Sequence, residues 1–180
     1  MPWAIMDGIM NNRRTILIGL FIYYFIAKKV VVMGSGKGLM VLALASSMLV
    51  AYALLTLKRE GVLDHILSMS PKSNWETLTE ITLSYSLISS MMSLLLIKLM
   101  SLDKLVLLSL YSVAISPFMM FLVLILPESL ARIAPFAVAF LVLEKFGDLS
   151  LPALVVLSIT SLFALRSSKI QEIVVVGWGP

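Results

Sequence analysis

Six apolar runs separated by short polar breaks set the pattern of this chain: 15–33, 39–57, 77–97, 105–126, 130–143 and 151–165. A helix of about 20 apolar residues crosses the roughly 30 Å of bilayer hydrocarbon, and the first four runs are near that length. The pattern predicts an all-α, polytopic integral membrane helix bundle of about six transmembrane helices, with 1–180 as a single transmembrane domain. Ahead of the first run, Trp3, Ile5, Met6, Ile9 and Met10 gather on one side of a helix, with Asp7 and Asn11 opposite. That spacing predicts an interfacial helix over 1–12 lying flat in the headgroups. The fifth run holds Arg132 and Pro135 and covers only about 21 Å at 1.5 Å per residue. Extension at both ends and a broken, half-entrant segment are both open for it.

The breaks carry their own signals. Ser73-Asn74-Trp75-Glu76 has the form of a capping box and marks the start of the third span, with Trp75 where an aromatic belt residue is expected. Pro127 stops the fourth helix, and Glu128 favours the start of the next. Gly34-Ser35-Gly36-Lys37-Gly38 has the flavour of a phosphate loop but lacks the spacing and the preceding strand of a Walker A motif.

Composition agrees with a membrane as the solvent. The chain of 180 residues is 60% hydrophobic and 13% charged, with a mean hydropathy of +1.03, and six spans leave almost nothing for a soluble domain. The net charge of +4 suits basic loops against anionic headgroups, and no basic run is dense enough for a nucleic-acid footprint. Cysteine is absent, which removes disulfides, iron–sulfur clusters and thiolate zinc sites. The first apolar run is too long for a signal peptide and is expected to be retained. His65 is the single histidine, and the carboxylates sit mostly in loops, so no catalytic set, metal site or cofactor is expected and the chain is not read as an enzyme. The span centres carry no ionisable group, which argues against ion-coupled transport.

Six spans put Arg13, Arg14, Lys58, Arg59, Lys72, Arg132, Arg166 and Lys169 on one side, and Lys28, Lys29, Lys37, Lys98, Lys104 and Lys145 on the other. All the arginines fall on the first side, which places both termini in the cytoplasm of a cell-membrane protein.

Two features point toward function. Thr82, Ser86, Ser89 and Ser93 share one face of the third span, and Ser109, Ser112 and Ser116 one face of the fourth. Close helix packing through small residues and a mildly polar translocation path both fit them. The second feature is the polar loop 58–76, the longest in the chain. Val62, Leu63, Ile66, Leu67 and Met69 alternate with Glu60, Asp64 and His65 at helical spacing, and Ser70-Pro71 ends the run. This is a short amphipathic helix between two spans. It either anchors the loop or acts as a lever for a soluble partner.

That loop resembles the coupling-helix region of type-2 ATP-binding-cassette transporter permeases, the membrane subunits of many exporters. Glu60-Gly61-Val62-Leu63-Asp64 matches the start of the motif, Ile66-Leu67 its apolar pair and Pro71 its end. The resemblance implies a permease subunit that moves cargo by alternating access, with ATP bound by a separate cassette ATPase and a second permease chain completing a homo- or heterodimer. It further implies that Glu60 and Asp64 contact the ATPase, Leu63, Ile66 and Leu67 seat the helix, and Gly61 allows the tight entry. The chain is shorter than most members and lacks room after the fifth span for their outer helical hairpin. A non-transporting membrane scaffold subunit is the alternative.

Overall fold

The computed structural model describes residues 13–33, 36–145 and 151–176. Helix α1 spans Arg13–Met33, α2 Gly36–Arg59, α3 Val62–Met69, α4 Asn74–Met91, α5 Leu102–Ile125, α6 Glu128–Lys145, α7 Leu151–Ala164 and α8 Ser168–Val176, with a 3-10 turn over Met92–Leu96 extending α4. The described residues form an all-helical bundle without strands. Three of its helical segments, Gly38–Arg59, Asn74–Leu96 and Leu102–Ile125, are long and apolar enough to cross a membrane, which marks the chain as a membrane protein. The expected interfacial helix 1–12 and the loop residues 34–35 lie outside the described residues.

Helix α5 is the hub. It packs most extensively against α2 and also meets α4, α6, α7 and α8, while α2 touches α1, α3, α4 and α6. Two apolar clusters flank the α2–α5 pair. One joins Tyr23, Leu42, Leu54, Leu78, Tyr85 and Leu108 on the α1 and α4 side. The other joins Leu44, Leu55, Ile115, Met119, Ala131 and Leu154 toward α6 and α7. The outward faces are equally apolar, as at Phe21, Leu87, Val106 and Phe163. A bundle apolar both inside and outside is what a lipid solvent selects, because helices pair most of their own backbone polar groups and apolar side chains need no water.

The helix boundaries refine the pattern reading. Lys58 and Arg59 belong to the last turn of α2 rather than to the loop. Lys58 is buried, and its ammonium donates to the Leu124 carbonyl near the C-terminus of α5. A cation suits that position, where the last carbonyls have no intrahelical donor. The fifth apolar run is extended at both ends: α6 is one helix over Glu128–Lys145 and continues through Pro135. Arg132 pairs with Glu128 one turn earlier, so its charge is met at the helix start rather than in mid-run.

Leu42 is fully buried on α2, whereas Leu87 on α4 faces outward at 57% exposure. Leu42→Ala is expected to lower the unfolding free energy by about 2–5 kcal/mol, and Leu87→Ala by less than about 0.5 kcal/mol, in denaturant titrations of the purified protein in mixed micelles.

Candidate functional site

Helix α2 ends in a sharp reversal. Glu60 N–H donates to the Thr56 carbonyl at 3.0 Å and Gly61 N–H to the Lys58 carbonyl at 3.1 Å. Gly61 then adopts φ 70°, ψ 3°, a left-handed conformation that costs an L-residue about 1 kcal/mol or more and glycine almost nothing. The same residue terminates α2 and caps α3, its carbonyl accepting the His65 N–H at 3.2 Å. With one residue in two roles, the chain turns from a spanning helix into α3 without a loop.

Alternation along α3 now has a geometric meaning. Leu63 and Leu67 are buried in the larger apolar cluster, and Val62 and Ile66 are half-buried against it. Glu60, Asp64, His65, Ser68 and Met69 are exposed. The helix lies across the end of the bundle, touching α2 on one side and α4 on the other. Ser70 closes it, its N–H donating to the Ile66 carbonyl at 3.1 Å, and its hydroxyl bonds Thr77 of α4 at 2.8 Å. Exposed Pro71 follows at the bend.

The entry to α4 is equally fixed. Ser73 donates to the Glu76 carboxylate from its N–H at 3.1 Å and from its hydroxyl at 2.7 Å, so the expected capping box is in place. Lys72 pairs with Glu80 at 2.7 Å, and that hydrogen-bonded carboxylate holds the Lys72 ammonium above its ordinary pKa. Arg166 lies over the Trp75 ring at 5.6 Å, tying the α7–α8 connection to the same end. Segment 60–73 is therefore a platform with the apolar face of α3 sunk into the bundle and Glu60 and Asp64 turned outward.

No family model, curated protein or solved structure matches this chain.

The serines gather elsewhere, near the midpoints of the central helices. Ser46 of α2 bonds Ser112 of α5 at 3.1 Å, and Ser47 bonds Ser116 at 2.8 Å. Ser89 of α4 donates to Ser46 at 3.1 Å, so three helices meet through hydroxyls. One step along, Ser93 bonds Ser109 at 2.5 Å. Ser86 donates back to the Thr82 carbonyl at 2.8 Å, and the buried Thr82 hydroxyl has no hydrogen-bond partner among the described residues. The two predicted serine faces thus meet each other, and Ser46 and Ser47 complete them. Pattern reading missed that pair, although two adjacent serines inside an otherwise apolar run were the available signal. Ser158 of α7, also missed, donates to the Ala114 carbonyl of α5.

Among the described residues no group of histidine and carboxylate side chains is placed to hold a metal ion.

A methyl group at Gly61 would meet nothing within 4 Å, so its cost is purely conformational. Gly61→Ala is expected to loosen α3 by about 1 kcal/mol, or about fivefold faster hydrogen exchange at the α3 amides. Exchange at the α5 amides should be unchanged.

Proposed function

We propose that this chain is the membrane-spanning permease subunit of an ATP-binding-cassette transporter, similar to the type-2 permeases. The observation that carries the reading is the α3 platform: a short helix between two spanning helices, with Leu63 and Leu67 buried in the bundle and Glu60 and Asp64 presented outward. A helix held this way moves with the spans on which it is seated. A soluble subunit gripping its outer face therefore shifts α2 against α4 when that subunit changes shape. Glu60 and Asp64 make the polar contacts to a cassette ATPase, Leu63, Ile66 and Leu67 seat the helix, and Gly61 and Pro71 fix its two ends.

In this reading α1, α2, α4, α5, α6 and α7 are six crossings, and both termini lie in the cytoplasm of a cell membrane. Helix α7, with 14 residues, covers about 21 Å and requires a locally thinned bilayer or a partner helix. Two permease chains pair, and ATP bound by the cassette subunits drives alternating access between them, coupled by the cargo's different affinity for the two states. Cargo passes along a path lined by Thr82, Ser86, Ser89, Ser93, Ser109, Ser112 and Ser116 within otherwise largely apolar spans, an environment suited to an amphipathic molecule. The Ser93–Ser109 contact, with the bonds of Ser46 and Ser47 to Ser89, Ser112 and Ser116, then forms a seam that opens and closes.

A non-transporting scaffold subunit is the second reading, favoured by the mutual hydrogen bonding of those same serines. The two differ in what the platform binds. Affinity purification of the intact chain from native membranes is expected to recover a cassette ATPase in stoichiometric amount. Asp64→Lys, an exposed change on α3, should reduce that recovery by about tenfold, as reversal of one interfacial charge contact costs on the order of 1–2 kcal/mol. Equal recovery with the variant, or no ATPase with either chain, would favour the scaffold.

A further inference from the structure

A lateral groove of about 460 Å³ opens on the flank of the bundle between α1, α2 and α6. Ile22, Met48, Tyr52, Leu55 and Phe136 line it, and Arg132 is the one charged residue in its wall. The wall on α2 runs from Ala45 to Leu55, which is about 15 Å of helix at 1.5 Å per residue. The groove is therefore elongated and almost entirely apolar, with its one charged residue at one end.

That end is electropositive. Arg132 pairs with Glu128, and Arg59 approaches the same carboxylate oxygen at 3.6 Å. One carboxylate cannot neutralise two guanidiniums, and both arginines are largely exposed. Lys58, the residue before Arg59 in the last turn of α2, is turned inward to the Leu124 carbonyl and lies within electrostatic reach of Asp64. Arg13 and Arg14, at the start of α1, lie at the same end of the bundle, because α1 and α2 run antiparallel. A slot for a hydrocarbon chain thus leads to an excess of cations at the polar end of three helices.

We infer that the groove is a binding site for one acyl chain of an anionic glycerophospholipid, with its phosphate held at Arg132 and Arg59. The chain supplies the affinity by filling apolar volume that would otherwise face loosely packed lipid. The phosphate supplies selectivity, since a zwitterionic headgroup brings a compensating cation to a site already rich in them. Close approach of α1 to α2 shapes the floor: a methyl at Gly19 would collide with the Leu49 side chain, and both residues line the groove. This site is independent of any ATPase, and a single chain contains all of it.

The test uses the full chain in nanodiscs of phosphatidylglycerol and phosphatidylcholine at equal ratio with identical acyl chains, followed by native mass spectrometry of retained lipid. The intact protein is expected to hold one lipid per chain, with phosphatidylglycerol preferred about fivefold, the ratio expected from one basic side chain at a membrane surface. Arg132→Gln should bring the ratio close to one while leaving a lipid bound. Met48→Trp and Ile22→Trp, two separate ways to fill the groove, should lose the lipid while keeping the helical circular-dichroism spectrum. Equal retention of the two lipids by the intact chain would overturn the inference, as would undiminished retention in both filled variants. A two-chain mass lost in those variants would instead assign the groove to a second copy of this chain.

Discussion

The hydroxyl contacts among Ser46, Ser47, Ser89, Ser112 and Ser116 are the interaction on which the rest of the bundle depends. In an apolar solvent there is no hydrophobic force to draw one apolar helix to another, so close approach and interhelical hydrogen bonds must do it. Each such bond contributes only about 0.6 kcal/mol on average, but their placement sets which helices are neighbours. They fix α2 against α5 and α4 against α2, and the Ser93–Ser109 bond joins the 3-10 extension of α4 to α5. The larger apolar side chains then pack above and below that level.

Fixing α2 and α4 fixes what lies between them. Helix α3 has no independent means of support: it is short, and its stability comes from Leu63 and Leu67 in the core and from the turns at Gly61 and Ser70. It therefore reports the relative position of α2 and α4. The same end of the molecule holds the buried Lys58, the Arg59–Glu128–Arg132 cluster and the Arg166–Trp75 stack. Polar chemistry is concentrated where the bundle ends, as expected when the middle is solvated by lipid. Pro117 lies near the middle of α5 without ending it, and it leaves the Val113 carbonyl without its usual intrahelical donor.

Much of this was legible from the alternation of apolar and polar residues, and the reasons are physical. Long apolar runs have few alternatives to a helix in lipid, so the main elements and the amphipathic α3 follow directly. The capping box at Ser73 and Glu76 places the start of α4 because it is a local bond between near neighbours in sequence. Pattern reading ended the α2 span at Leu57 and gave Lys58 to the loop, since it treats lysine as a loop residue and cannot see the Leu124 carbonyl that accepts its hydrogen bond. It found the serine faces of α4 and α5 but not Ser46 and Ser47, because their partners lie on other helices. The groove beside α1 was not legible at all, being a product of how three helices splay.

The proposed docking of a soluble ATPase on the outer face of α3 is open to a direct test. The chain contains no cysteine, so a single one can be placed at will. His65→Cys puts it on the exposed face of α3, and Leu94→Cys puts it on an exposed site at the other end of α4. Thiol-specific cross-linking of both variants in native membranes, with mass spectrometry of the adducts, reads the claim directly. An adduct with a cassette ATPase from the His65 position and none from the Leu94 position is the predicted result. An ATPase adduct from neither position, with only membrane proteins captured at His65, would contradict it.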